Sequence, residues 1–379
     1  MPWQEATTMT QRYEFVMLAK AEGANIAALC RQFNVSRNTA YKWLGRFAAG
    51  GKAGLCDRSR RPKSSPRRTG RTLEALVRKL RSEHPAWGGR KIRRRLQDKG
   101  HKRVPTASTI TAILHRGGLV DATESGKRVP FTRFEHAAPN ALLQIDFKGH
   151  FALPRGRCHP LTLIDDHSRF ALAIQACANE QGQTVKPALT EAFRRYGLPE
   201  RMTMDNGPPW GATHQDHGLT PLTLWLMRLG IRVSHSRPRH PQTQGKNERF
   251  NGTLLREVIA ARQFRSMQEA QQAFDLWRDI YNLERPHEAI GLAVPSSRYR
   301  PSPRPFPGML PPIEYAESLI VRRVQQHGRI SFKGREFRLP KALEGFPVAL
   351  EPRLGSDGIY DVRFINSRVA TLNLNVPAT

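Results

Sequence analysis

Apolar positions recur at helical spacing through the first third of the chain and change to strand-like runs after about residue 140. Within residues 11–49, the segments QRYEFVMLAKAEG, IAALCRQF and RNTAYKWLGRFAA each predict a short helix. Between the last two, Asn34 tolerates a left-handed backbone, Val35 fills the corner and Ser36 is placed as an N-cap. This is a helix-turn-helix layout. Its last helix is expected to turn Ala40, Leu44 and Phe47 inward, leaving Arg37, Asn38, Tyr41 and Lys42 outward as candidate contacts to bases and phosphates. A second unit repeats the pattern in LEALVRKLRSE, GRKIRRRLQDKG and TASTITAILHRGGL, with Thr106 or Ser108 capping the last helix. Ile92 and Leu96 are spaced for burial there, and Arg90, Lys91 and Arg94 are candidate DNA contacts. The stretch between the units is rich in Gly, Ser and Pro and shows no periodicity, which predicts a basic linker.

Three apolar runs, LLQIDFKGH, HPLTLIDD and RFALAIQAC, then predict a three-stranded meander. Helices and strands alternate after it: TVKPALTEAFRRYG, RMTMD, TPLTLWLMRLG, IRVSHS, and two helices covering 243–264 and 266–284. Trp225, Leu226 and Leu229 share a core-facing side. Alternation of this kind predicts an α/β layer with a mixed sheet. VPSSRYRPSPRPFPGMLPP forms a proline-rich joint before four strand-like pieces, read as a small basic β-domain. The expected organisation is two N-terminal all-α helix-turn-helix units at 1–50 and 71–120, linkers at 51–70 and 121–137, an α/β core at 138–300, and joint plus β-domain at 301–379.

Charge points to the partner. The chain has 61 Lys and Arg against 32 Asp and Glu, a net +29, and residues 1–140 hold 29 of those cations with 10 acids. A block of this sign neutralises phosphates and releases their counterions, the usual source of nucleic-acid affinity. A membrane surface is a poorer match, because no basic amphipathic helix with an aromatic apolar face accompanies the charge and no run of about 18 apolar residues occurs. The first residues lack the basic-then-apolar order of a secretory signal. Cys30, Cys56, Cys158 and Cys177 lie far apart without a C-x-x-C pair, arguing against a disulfide framework or a zinc site and for a reducing, cytoplasmic setting.

Three acids stand out by context. Asp146 interrupts an apolar strand, Asp205 ends the short strand RMTMD before the turn Asn206-Gly207-Pro208-Pro209, and Glu248 lies in HPQTQGKNERFN. Neighbouring strands would bring both aspartates to one rim of the sheet, where a crossing helix could present Glu248. On that helix Phe250, Leu254 and Val258 form a separate apolar face, and Gly245 and Gly252 leave bare backbone near the acid. Lys246 and Arg249 flank it as candidate phosphate contacts. Other polar clusters have simpler explanations: the 165–169 stretch as a turn capped by Asp and Ser, and His240 as a hydrogen bond at helix entry. His214 and His217 have metal-like spacing but no accompanying ligands.

The strings QIDFKGH, MDNGPPW and HPQTQGKNERFN, in this order, resemble the signatures of DDE-type bacterial insertion-sequence transposases with a retroviral-integrase-like catalytic core. Two departures from that pattern are Leu143, where such proteins often have Trp, and WGATHQDHGLTP, which reads as a surface insertion. The resemblance implies an RNase H-like core over about 138–300, with Asp146, Asp205 and Glu248 as a catalytic and metal-binding triad for two Mg²⁺ or Mn²⁺ ions. It further implies a transposase that binds its element ends, cleaves DNA and joins the 3′-hydroxyl end to target DNA as a homo-oligomer. Double-stranded DNA is the expected partner, with no membrane and no small-molecule cofactor, in a bacterial, nucleoid-associated location. The alternatives are a catalytically silent DNA-binding regulator derived from a transposase, which loss of a triad acid would mark, and a nuclease that cuts without joining. If Arg37 or Asn38 reads a base, its replacement by Ala should weaken binding of residues 1–120 to a cognate duplex by roughly 1–3 kcal/mol and to random DNA much less. Competition binding checks this, and equal losses on both DNAs would assign the side chains to phosphates.

Overall fold

The computed structural model of the chain describes residues 7–59, 68–120, 135–211, 219–235 and 245–376. His214 and His217, within the stretch expected to be an insertion, and His240 lie outside the described residues. Two compact units divide at Arg68.

In the first unit, α1 (Thr8–Ala19), α2 (Ile26–Gln32) and α3 (Arg37–Gly50) form the expected helix-turn-helix. Asn34 adopts φ 52° and the Ser36 hydroxyl accepts the Thr39 N–H at 3.2 Å, so turn and cap form as their residue types dictate. Ala40 is buried as expected, but Trp43 beside it on the same face fills the centre, while Leu44 and Phe47 are half-buried. Arg37, Asn38, Tyr41 and Lys42 are exposed. The linker expected from residue 51 begins later. Gly51–Leu55 winds into a 3₁₀ turn whose Leu55 is completely buried beneath the three helices. Arg12 fastens it, donating to the Leu55 carbonyl at 2.9 Å and pairing with Asp57 at 3.0 Å.

The second unit opens with α4 (Arg71–Glu83), α5 (Gly89–Asp98) and α6 (Ala107–Arg116), packed around Val77, Trp87, Ile92, Leu96, Ile110 and Ile113. Thr106 caps α6. Gly89 lets α5 and α6 approach closely: a Cβ there would lie 2.4 Å from the Ala107 carbonyl oxygen. Two of the α5 cations expected to reach DNA have acidic neighbours within the protein. Arg94 pairs with Asp98 at 2.8 Å, Arg90 lies 3.7 Å from Glu288, and Arg95 pairs with Glu284. Lys91, half-buried, is near enough to His287 to help lower its pKa, an effect led by burial and Arg285. The acids at 284–288 turn this face of α5 toward the α/β core.

That core is a mixed sheet of β1 (Leu143–Phe147), β3 (Arg157–Asp165), β4 (Ala171–Cys177), β5 (Arg201–Met204) and β6 (Arg232–His235), in the order β4-β3-β1-β5-β6, with two-residue β2 (Phe151–Ala152) on β3. β3 is antiparallel to β1 and β4, as the meander predicts, and β1, β5 and β6 run parallel. Helices cover both faces. α7 (Gly182–Tyr196) and α8 (Pro221–Arg228) pack Phe193, Trp225 and Leu226 on one side. On the other, α9 (Gly245–Leu254) and α10 (Met267–Asp279) pack Phe250, Leu254, Phe274 and Trp277.

The proline-rich joint lies against this core. Tyr299 stacks on Phe170 at 4.2 Å, and Arg304 donates to the carbonyls of Pro199 and Leu229 at 2.8 and 2.9 Å. The tail forms a four-stranded sheet of β7 (Ile320–Arg323), β10 (Pro347–Pro352), β11 (Ile359–Phe364) and β12 (Ser367–Asn373), with a hairpin of β8 (Arg329–Phe332) and β9 (Arg335–Arg338). Its apolar core is continuous with Leu224 and Met227 of α8. Among the described residues no helix is long and apolar enough to cross a membrane. Because Leu55 is core, Leu55→Ala should destabilise the 1–68 unit by about 2–5 kcal/mol. Urea unfolding followed by Trp43 fluorescence checks this, and an unchanged midpoint would return residue 55 to a solvated linker.

Candidate active site

The parallel pairing of β1 and β5 sets Leu143 opposite Met202 and Gln144 opposite Thr203. The same offset carries Asp146 and Asp205 to matching positions at the strand ends. Both line one cleft of about 450 Å³, together with Phe147, Glu180, Asn206 and Trp210. Asp205 is exposed, and its backbone carbonyl accepts the Nδ1–H of His235 from β6 at 2.9 Å.

Asp146 is tied to α9. Asn251 donates its side-chain amide to Asp146 Oδ2 at 2.8 Å. Thr162, the cross-strand partner of Asp146, places its hydroxyl 3.1 Å from the Asp146 carbonyl oxygen and 3.1 and 3.3 Å from the side-chain oxygens of Asn251 and Asn247. One proton shared among three acceptors pins the helix to the sheet where the acid emerges. Glu248 stands exposed on α9, one turn before Asn251. Phe250, Leu254 and Val258 are buried on the other face, and space beside Gly245 is open. Arg249 is exposed next to Glu248.

Burial first, then the Asp205 carboxylate, push the Asp146 carboxyl up to about 7, with smaller contributions from Glu180 and Glu248 and against one backbone hydrogen bond. The site therefore concentrates negative charge that a hard cation would relieve, and oxygen donors of this kind suit Mg²⁺ or Mn²⁺. Among the described residues, no three His, Cys, Asp or Glu side chains stand close enough together to hold a metal ion. Asp146 and Asp205 share the cleft, and Glu248 stands exposed on α9 outside its lining.

One expectation changes here. Lys246 does not flank Glu248 as a solvent-facing phosphate contact: its ammonium pairs with Asp166, whose side chain is 1% exposed. Burial raises the Asp166 carboxyl, but Lys246 and the His136 N–H outweigh it and hold the group below the ordinary carboxylate range. Asp165 behaves as a turn cap, accepting from the Ser168 N–H at 2.7 Å and hydroxyl at 2.6 Å. Glu180 went unrecognised in the sequence. It follows β4, accepts a hydrogen bond from His159 Nδ1 at 2.8 Å, and carries no local motif.

A mixed five-stranded sheet covered on both faces, with acids at adjacent parallel strand ends, is an RNase H-like, integrase-type core. The chain matches the Integrase core domain over residues 136–241 and again over 229–295, a Helix-turn-helix domain over 11–63, a Homeodomain-like domain over 39–114, and the IS481 family transposase C-terminal domain over 319–378. It is 30% identical over 160 residues, 42% of this chain and 55% of the relative, to the insertion element IS407 uncharacterized 31.7 kDa protein of Burkholderia multivorans. A Geobacillus stearothermophilus protein assigned as transposase of insertion sequence element IS5376 is 22% identical, over 92% of this chain and 85% of the relative. In stretches such as the IS407 match, the chain spans about half the length of the curated relatives it matches. A chain of the simian T-cell lymphotropic virus intasome aligns at TM-score 0.39 and 15% identity, covering 79% of this chain and 96% of that one. The matched segments thus resemble an integrase core domain followed by the C-terminal domain of IS481 family transposases.

A carboxyl raised in the folded state binds protons there that the unfolded chain has released, so metal-free stability should fall as pH rises from about 4 through about 7. In chelator, Asp146→Asn should remove that fall, its melting temperature gaining on the wild type between about pH 5 and pH 8. Parallel curves in a thermal-shift series would show that Asp146 ionises normally.

Proposed function

We propose that this chain is a metal-dependent DNA transposase that binds the ends of its own element, cleaves there, and joins the 3′-hydroxyl end to target DNA. The observation that carries this reading is the placement of Asp146 and Asp205 at matching ends of parallel strands, with the helix of Glu248 fastened to Asp146 through Asn251. Asp146, Asp205 and Glu248 would hold two Mg²⁺ or Mn²⁺ ions. Bound there, the ions would activate an attacking oxygen and steady the leaving one in an in-line phosphoryl displacement. Asn251 orients Asp146 through its Oδ2. Phe147 and Trp210 wall one side of the cleft, and Glu180 adds negative charge that favours cation entry.

The exposed face of α3 carries Arg37, Asn38, Tyr41 and Lys42 to duplex DNA in this reading. The second helical unit positions the core through α5, since Arg95 and Arg90 face Glu284 and Glu288. Coordinated joining of two ends requires two or more copies of the chain, working in a bacterial, nucleoid-associated setting.

Glu248→Gln keeps size and hydrogen bonding but removes the charge. On a labelled duplex from the DNA flanking the gene, end binding should persist while cleavage and joining fall together by more than about a hundredfold. Unchanged joining by the variant would remove Glu248 from the triad, and a wild type that binds but never cuts under Mg²⁺ or Mn²⁺ would favour the regulator.

A further inference from the structure

We infer that Lys246 and Asp166 form a positioning pair that fixes the first turn of α9, and with it Glu248, against the sheet; this rests on the reading of Glu248 as the third acid. Asp166 accepts from the His136 backbone N–H at 2.9 Å, His136 Nδ1 at 3.1 Å, the Gln144 amide at 2.9 Å and the Lys246 ammonium. Its own N–H donates to the Leu142 carbonyl at 3.0 Å. Three chain segments therefore converge on one buried carboxylate: the stretch entering β1, β1 itself through Gln144, and α9 through Lys246.

Position on the helix gives the pair its consequence. Lys246 lies two residues before Glu248 and Asn251 three after it. Lys246 ends on Asp166, which also holds Gln144, and Asn251 ends on Asp146; Gln144 and Asp146 lie two residues apart on β1. The helix is thus held on both sides of the exposed acid, by Lys246 to the turn after β3 and by Asn251 to Asp146 of β1, with Thr162 of β3 reaching Asn247 and Asn251 between them; losing the Lys246 contact would loosen the opening turn of α9. Drawing Lys246 out to a phosphate would also strip Asp166, 1% exposed, of its cation, a costly state for a buried charge. Lys246 consequently acts on the reaction through Glu248, without touching the nucleic acid.

The test uses the full chain with Lys246→Met, Asp166→Asn, both together, and Lys246→Arg as the conservative variant. Hydrogen exchange is read across residues 245–254 without DNA or metal, with the β3 and β4 amides as a folding control. Each single change should speed exchange in the first turn of α9 by about tenfold or more while β3 and β4 stay protected. The double change should be no worse than the worse single one, and Lys246→Arg should restore part of the protection. The slope of log Kd against log salt for duplex binding should not move, and joining should slow even at saturating DNA. Unaltered exchange in α9 would overturn the inference. So would a salt slope reduced by about 0.9 with joining recovered at high DNA, which marks a phosphate contact. If the wild type neither cleaves nor joins, the proposed function fails, while the exchange data still decide whether the pair holds the helix.

Discussion

Two carboxylates on neighbouring parallel strands repel one another, and partial burial strengthens that repulsion because water no longer screens it. Much else in the core works against this strain. The pairing of Leu143 with Met202 and Gln144 with Thr203 fixes the strand ends regardless of what their acids prefer. Large apolar side chains on both faces hold the sheet, so the cost at one rim is met by packing elsewhere. Asn251 and Thr162 then anchor α9 at the charged end. A cation-seeking rim built into a rigid sheet is the physical content of the proposed catalytic centre.

The same economy governs the cations. A chain with a net +29 has positive charge to spare for phosphates, yet several of its cations pair with acids of the fold. Arg95 and Arg90 meet Glu284 and Glu288, joining the second helical unit to the core, and Lys246 meets Asp166 beneath α9. Rim pairs such as Arg90 with Glu288 contribute little stability individually. Buried ones act differently, since removing either partner strands the other charge.

What could be read from the sequence follows the range of the interactions involved. Ser36 and Thr106 caps, the left-handed Asn34 and the buried stripe of Phe250, Leu254 and Val258 are set by residues within a turn of one another, and each formed as expected. Asp146 and Asp205 were legible as candidates because an acid within or ending an apolar strand is unusual, whereas the parallel pairing that sets them side by side came only with the fold. Leu55 was not, because Gly, Lys and Ala around it give no periodicity and its burial depends on three preceding helices. The partner of Arg95 lies 189 positions away, and only the folded core brings Glu284 to it. Glu180 and the Tyr299 stack on Phe170 were hidden for the same reason: neither has a local signature, and each acquires its role from the sheet.

The central claim is that the acids at the ends of β1 and β5 form one cation site. Mn²⁺ binding to the full chain, followed by electron paramagnetic resonance near neutral pH, tests it most directly when wild type and Asp205→Asn are titrated together. The account predicts saturable Mn²⁺ binding in the wild type and its loss in Asp205→Asn with the helical content unchanged. Equal Mn²⁺ binding by the two proteins would contradict it.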